Sequence, residues 1–412
     1  MKGFGNKLLK KILESSTQKG INLKNIFYYI VNESGLTRTE IAEKTGLKLS
    51  TCGRLIDELM ELNLIYECGE AESSGGRRAK KYDVKANNNF LIGVDISRTK
   101  VNVLLLEINL EIVAEEKFEM NHLFTPDVTL MKITECINRL LHMNGIELDA
   151  VLGIGISSIG PLDIDAGVII NPQQFPAPGW KNVEVVKQLK EHFNLPIILC
   201  YGEHSALVAE HRLGAVKGCV NALHINKGIG TRLGLLLNGV VVRLSNAQGA
   251  LGQGHMVVEI AGRKCSCGNY GCLNAYTTIP AILGEVKKKL KKGDDSLLKY
   301  KVKDISNVKF TDVVYAVNND DPLTKQVIKE AALYSATGLS NLINLFQPEK
   351  IVLSGPVYRE LPLYYEIAIE KSKERYKRLY PDLHVVFSQG ELGENAVAIG
   401  AGGLLFDTLF EK

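Results

Sequence analysis

Apolar residues near the start of the chain recur at helical spacing. Leu23, Ile26, Phe27, Ile30 and Val31 stand three and four apart, as one buried helix face requires. Two shorter stretches follow, 36–47 and 48–59, joined across Gly46; a short helix, a glycine-bearing turn and a second helix make a helix-turn-helix. Ala42 is small where the two helices cross, and Gly46 permits the positive φ of the turn. Ile41, Leu47, Leu55 and Leu59 form the expected core, with Ser50, Thr51, Gly53 and Arg54 facing outward. A plain helical hairpin would explain this stretch alone. However, strand-like pieces at 64–69 and 79–84 flank Ser73-Ser74-Gly75-Gly76-Arg77-Arg78, and a β-hairpin after a helix-turn-helix is a wing.

Past a polar linker at 86–89 the pattern becomes a Gly-rich α/β alternation. Strands are predicted at 90–96, 100–108 and 112–118, a helix at 129–143, a buried strand at 151–156, a helix at 183–193 and a strand at 197–200. A similar opening recurs at 220–225, with a glycine turn at 226–230 and a strand at 233–237. Helices at 279–290, 323–346 and 361–376 and strands at 351–353 and 385–387 follow. Two halves that begin alike predict a duplicated, two-lobed fold.

Composition narrows the class. At 412 residues, 45% hydrophobic and 23% charged, the chain can bury more than one core and is neither disordered nor fibrous. Its apolar runs are strand-length, far short of the roughly 18 residues of a membrane span. The amino end lacks the apolar core of a secretory signal. A cytoplasmic protein with no membrane partner is expected. Residues 1–85 hold 15 Lys+Arg against 11 Asp+Glu, the remainder 34 against 35, so the modest basic excess falls on the helix-turn-helix and points to nucleic acid. Of eight cysteines, Cys52, Cys68, Cys136, Cys200 and Cys219 are scattered and read as small buried hydrophobes. The other three crowd into Cys265-Ser266-Cys267-Gly268-Asn269-Tyr270-Gly271-Cys272, a metal site rather than a disulfide framework in a reducing compartment.

Ile92-Gly93-Val94-Asp95, Gly153-Ile154-Gly155-Ile156, Gly228-Ile229-Gly230, Gly254-His255-Met256 and the cysteine run, in that order, resemble the ROK family of repressors, open reading frames and kinases. Ser354-Gly355-Pro356 and the 393–400 segment fit its carboxyl-terminal landmarks, and the helix-turn-helix in front is similar to its sugar-responsive repressor branch, of the xylose and N-acetylglucosamine type. The resemblance implies an α/β chain with an N-terminal winged helix-turn-helix (1–85) and a two-lobed actin-like, ribonuclease-H-like sugar-kinase fold. Lobe 1 would span 90–202, completed by a helix at about 393–412, and lobe 2 would span 203–392 with a zinc loop. His255, Cys265, Cys267 and Cys272 would supply one imidazole and three thiolates, the closed tetrahedral set of a structural Zn2+.

Against that family the phosphate-cradling turn has changed. Kinases carry Asp-x-Gly-Gly-Thr-Lys, so that backbone amides approach ATP; this chain reads Asp95-Ile96-Ser97-Arg98-Thr99-Lys100, with Asn226, Lys227 and Arg232 at the second phosphate loop. The Asn-Asp pair that deprotonates the sugar is replaced by Gly202-Glu203, which argues against phosphoryl transfer. The resemblance maps sugar contacts onto Gln173, Glu203, His255 and Asn274, with Gly252 where the family has a glutamate. Fewer acids beside Arg98, Lys227 and Arg232 suit a bulkier or anionic carbohydrate. The expected protein is a non-enzymatic regulator, a homodimer or dimer of dimers, that binds operator DNA and a carbohydrate effector. Lys48, Ser50, Thr51 and Arg54 would meet the major groove, and Arg77 and Arg78 an A·T-rich minor groove. A sugar kinase with a DNA-binding appendage is the alternative.

Overall fold

The computed structural model describes residues 4–72, 78–86, 89–172, 174–242 and 252–410. The wing tip 73–77, which includes Arg77, and the effector candidate Gln173 lie outside the described residues, as do 87–88 of the expected linker.

Thr17 caps the Gln18–Asn32 helix by accepting a hydrogen bond from the Gly20 amide, and Leu23, Ile26, Phe27 and Ile30 form its buried face. The short helix Arg38–Thr45 ends at Gly46 with φ +67, and Leu49–Glu61 follows. Three strands complete this domain: β1 (Leu36–Thr37), β2 (Ile65–Glu70) and β3 (Lys80–Val84), ordered β1-β3-β2 and antiparallel. The β1 strand is too short to carry an alternation pattern, so the sequence shows only the outer hairpin.

Two five-stranded sheets follow, with one topology. The first contains β4 (Phe90–Ile96), β5 (Lys100–Glu107), β6 (Ile112–Glu119) and β7 (Val151–Ser158). A small ribbon of β8 (Leu162–Asp163) and β9 (Val168–Ile169) precedes its last strand, β10 (Ile197–Tyr201). The order is β10-β7-β4-β5-β6, with β4, β5 and β6 antiparallel and β7 and β10 parallel to β4. The second sheet contains β11 (Ala222–Lys227), β12 (Thr231–Leu237), β13 (Val240–Val241), β14 (Lys350–Ser354) and β15 (Val386–Ser388). Its order β13-β12-β11-β14-β15 repeats the same antiparallel and parallel pattern. The duplication expected from the two similar openings is therefore a repeat of topology. Every residue of β4 and β7 is buried, as befits central strands covered on both faces.

The chain divides into two compact units: one runs to Ala209 and resumes at Asn395, and the other runs from Glu210 to Glu394. Within the first unit the Ala396–Phe410 helix lies across β4 and β7. It also receives the helix-turn-helix domain: Tyr28 stacks on Phe406 and Phe27 on Phe410, both at 5.7 Å, and the Tyr28 hydroxyl donates to Asp407 at 3.0 Å. Lobe 2 is built around the Pro322–Phe346 helix, which Asp321 caps by accepting from the Thr324 amide. Among the described residues no helix is long and apolar enough to cross a membrane.

Because Phe406, on the Ala396–Phe410 helix, is fully buried and stacked on Tyr28, Phe406→Ala is expected to cost about 3 kcal/mol. Chemical denaturation measures the loss. Amide exchange is expected to rise in Gln18–Asn32 as well as in the terminal helix; unchanged exchange in the former would mean that the aromatic contact does not hold the two together.

Candidate functional site

Thr37 starts the first helix of the turn with a reciprocal cap. Its side chain accepts from the Glu40 amide, while Glu40 accepts from the Thr37 amide at 2.8 Å and is thereby held below the usual carboxylate range. Ile41, Ala42, Leu55 and Leu59 are buried, together with Cys52 and Ile56, while Leu47 is half-buried. Burial pushes the Cys52 thiol up to about 11. Lys48, Ser50 and Arg54 are exposed and Thr51 is half-exposed, all on the outward face of Leu49–Glu61.

Gly53, expected outward, is buried. A Cβ there would lie 3.2 Å from Nη1 of Arg38, which covers it. Arg38 bonds Asp57, donates from Nε to the Tyr82 hydroxyl at 2.8 Å and sits over the Tyr82 ring, so one side chain ties both helices to β3. Nothing in the hydrophobic pattern marks Arg38 for this role. On the wing, Arg78 is exposed and 3.9 Å from Glu70. Four of the scattered cysteines are buried, but Cys68 is exposed, because β2 shows only its first residue to the core.

His255, Cys265, Cys267 and Cys272 converge: their ligand atoms all lie within 4.8 Å of one another. Cys265 Sγ is 3.6 Å from His255 Nδ1, and Cys267 Sγ is 3.7 Å from Cys272 Sγ. Four donors about 2.3 Å from a tetrahedral ion stand roughly 3.8 Å apart, close to the two separations above, so the donor set fits a metal of the zinc kind. Gly271, at φ +73, lets the loop close; a Cβ there would fall 1.7 Å from the Glu259 carbonyl oxygen.

The remaining candidates fall in different units. Glu203 is buried near the start of Gly202–Leu213 in the first. His255 and Asn274 belong to the second, where the Asn274 side chain packs against Gly254. The sequence pattern does not single out Gln253. It is 6% exposed, and among the described residues neither its side-chain oxygen nor its nitrogen has a hydrogen-bond partner, nor does Oδ1 of Asn274. Its position between two glycines is a signal for close packing but not for polarity. The turn that replaces the phosphate cradle is closed on itself: the Ser97 amide donates to the Lys100 carbonyl at 3.0 Å, and the Lys100 amide donates to Ser97 Oγ at 3.2 Å.

Lys227 is not the open cation expected. It is 1% exposed, donates from Nζ to Ser335 Oγ at 2.7 Å and to the Tyr364 hydroxyl at 3.0 Å, and lies 5.2 Å from the Tyr358 ring centroid. With only neutral partners, burial brings its pKa down to about 7. An anionic ligand cannot reach it. Arg232 is half-exposed and donates to Asn226 at 3.4 Å.

Residues 91–407 match the ROK family, and residues 21–66 match a winged helix-turn-helix DNA-binding model. The xylose repressor of Bacillus subtilis is 25% identical over 400 residues, 96% of this chain and 97% of its own. The DNA-binding transcriptional dual regulator NagC of Escherichia coli is 27% identical over 82% of this chain and 81% of its own. Two solved structures share the fold. A ROK family transcriptional regulator, homolog of the E. coli MLC protein, has a TM-score of 0.76 at 23% identity over 95% of this chain and 96% of its own. A ROK family glucokinase from Streptomyces griseus, in complex with glucose and AMPPNP, has a TM-score of 0.61 at 23% identity over 77% and 99%.

Burial of Lys227 makes stability depend on pH. Between about 7 and 10.5 the folded protein binds fewer protons than the unfolded chain, so this group makes stability rise with pH across that window. Lys227→Met removes the dependence. Urea denaturation at pH 7 and pH 9 is expected to show a smaller gain for the variant than for the unaltered protein, by a difference on the order of 2 kcal/mol. Equal gains would mean that the buried amine stays charged across the range, as it is in the unfolded chain.

Proposed function

The chain belongs to the ROK family, and on that premise we propose that it is a transcriptional repressor of carbohydrate genes that reads DNA with its Leu49–Glu61 helix and answers to a sugar or sugar derivative. The observation that carries this reading is the outward row Lys48, Ser50, Thr51 and Arg54 on a winged helix-turn-helix joined to a domain of the sugar-kinase fold. A dimer sets two such helices in successive major grooves, about one helical turn or a multiple apart. Arg54 and Thr51 read base edges, and Arg77 and Arg78 follow the minor groove from the wing. Residues 1–85 are the DNA-binding part, and 90–412 the effector part.

The effector part does no phosphoryl transfer. The Ser97 and Lys100 amides are committed within the turn, and Ser97 and Arg98 carry side chains where kinases of the family have glycines. A glutamate at 203 reaches one methylene too far for the base that this fold uses. The candidate carbohydrate contacts are Gln173 and Glu203 in the first unit, and His255 and Asn274, joined by Gln253, in the second. Gln253 and Asn274 each bury an amide that a hydroxyl would satisfy. His255, Cys265, Cys267 and Cys272 hold one zinc ion per chain, and with four protein ligands the ion ties a loop and activates no water.

Selection from randomised duplexes yields the operator and tests the first claim. Arg54→Ala is expected to lose roughly 1–3 kcal/mol and to relax preference at one base pair per half-site. Selection of no preferred sequence would overturn the reading. Purified protein with ATP and a panel of sugars tests the second, because measurable turnover would restore the kinase alternative. Metal analysis is expected to find one zinc per chain, and Cys267→Ser should lower the melting temperature of lobe 2 before that of the helix-turn-helix. A metal-free protein of full stability would remove the zinc.

A further inference from the structure

The positive charge of this protein is concentrated far from the helix-turn-helix in sequence. Residues 287–309 hold nine lysines against three aspartates, with no arginine and no glutamate, a net charge of +6. The other residues hold 40 Lys+Arg against 43 Asp+Glu and are net negative. A division at residue 85 averages this segment away.

These lysines share one part of lobe 2: the last turn of Ile279–Lys291, the turn Leu298–Lys301 and the approach to Phe310–Asn318. Bonds from Lys287 Nζ to the Ser306 carbonyl at 2.7 Å and from Lys299 Nζ to the Gly293 carbonyl at 2.9 Å hold the elements together. A helix carboxyl end favours cations, which accounts for Lys288, Lys289 and Lys291. The same holds for Lys292, the C-cap residue, and for Lys299 and Lys301 at the end of Leu298–Lys301, but not for Lys303 and Lys309. Lys291, Lys292 and Lys303 are exposed, and no carboxylate of the described residues forms an ion pair with them, whereas Lys288 and Lys301 are paired with Glu285 and Asp312. Beside them Tyr300 is 85% exposed, and Tyr315 is half-exposed with Lys301 Nζ 3.9 Å from its ring centroid.

We propose that this lysine-rich face is a second, sequence-independent contact surface for duplex DNA. The charge is all lysine, whose compact ammonium makes point contacts with phosphates, whereas planar recognition of a carboxylate calls for arginine. Its counterpart is a dense, regular polyanion. Duplex DNA is the polyanion that a winged helix-turn-helix already brings to the chain, and this step rests on the function proposed above. Contacts of this kind add affinity without sequence preference, through released counterions.

The test uses the full chain and a duplex of random sequence, followed by fluorescence anisotropy over a salt series. The triple variant Lys291→Gln, Lys292→Gln, Lys303→Gln is expected to bind more weakly and to flatten the logarithmic salt slope by about 0.9 for each phosphate no longer neutralised. The matching Lys→Arg triple keeps the charge and should keep the slope, which separates an effect of charge from an effect of misfolding; an unchanged melting temperature checks the same point. An unchanged slope in the Gln triple would overturn the proposal. So would weakening confined to vesicles of phosphatidylglycerol, which would make the face a membrane contact instead. Arg54→Ala distinguishes the two claims: loss of sequence preference there with no effect of the lysines leaves the reading helix standing and removes only the second surface.

Discussion

A methyl group added to Gly93 would fall 2.0 Å from the carbonyl oxygen of Ala398, one on Gly155 would fall 2.0 Å from that of Ala401, and one on Gly400 would fall 1.7 Å from that of Ser205. No carbon tolerates such distances, so the Ala396–Phe410 helix presses backbone to backbone on β4, β7 and the start of Gly202–Leu213. Much of the first unit depends on that seating. The same helix turns Phe406 and Phe410 toward Phe27 and Tyr28, so the DNA-binding domain and the first sheet stand on one support. One helix thus touches the start of Gly202–Leu213 at Gly400 and the helix-turn-helix domain at its aromatic contact.

Central strands were legible in the sequence because burial on both faces writes them as unbroken apolar runs; 90–96 and 151–156 lie within strands the structure contains. The Pro322–Phe346 helix was legible from its period and length. The first metal-loop signal, three cysteines in eight residues, was legible because incidental cysteines do not crowd so closely. Short elements escaped. β1 has two residues, and Asn274–Thr277 and Leu298–Lys301 have four each, about one repeat of a strand or helix pattern and too few for a periodicity to show. Gly53 was misjudged for another reason: helical phase places it outward, and what buries it is Arg38, a polar side chain that arrives from another helix.

Lys227 shows the limit of reading charge from a linear pattern. A basic residue beside a former phosphate loop invites an anion, but orientation decides the outcome, and alternation along β11 turns this side chain inward toward Ser335, Tyr358 and Tyr364. The amine then links β11 to three helices through neutral hydroxyls and ring faces. A buried cation without a carboxylate is costly, and the depressed pKa is the molecule's relief of that cost. The turn at 97–100 is closed by its own hydrogen bonds, whereas the strand end at Lys227 is anchored through its side chain.

The loop between β13 and Asn274 explains why a structural ion would belong in an effector domain at all. Its described part, 252–273, has one short turn at Gln253–His255 and two isolated bridges, Val257 with Cys272 and Lys264 with Tyr270. So little regular bonding cannot by itself hold side chains to the fraction of an ångström that discriminates sugar hydroxyls. The four candidate ligands enclose the segment from His255 to Cys272. Gln253, and Asn274 at its Oδ1, have buried polar atoms without partners among the described residues; each lies two residues outside it, at opposite ends, and the Asn274 side chain meets Gly254. An ion held at those four atoms would fix both ends of the loop at once and, through them, the two amides left to bind a ligand. Rigidity imposed from one point is what a recognition surface built on irregular backbone requires.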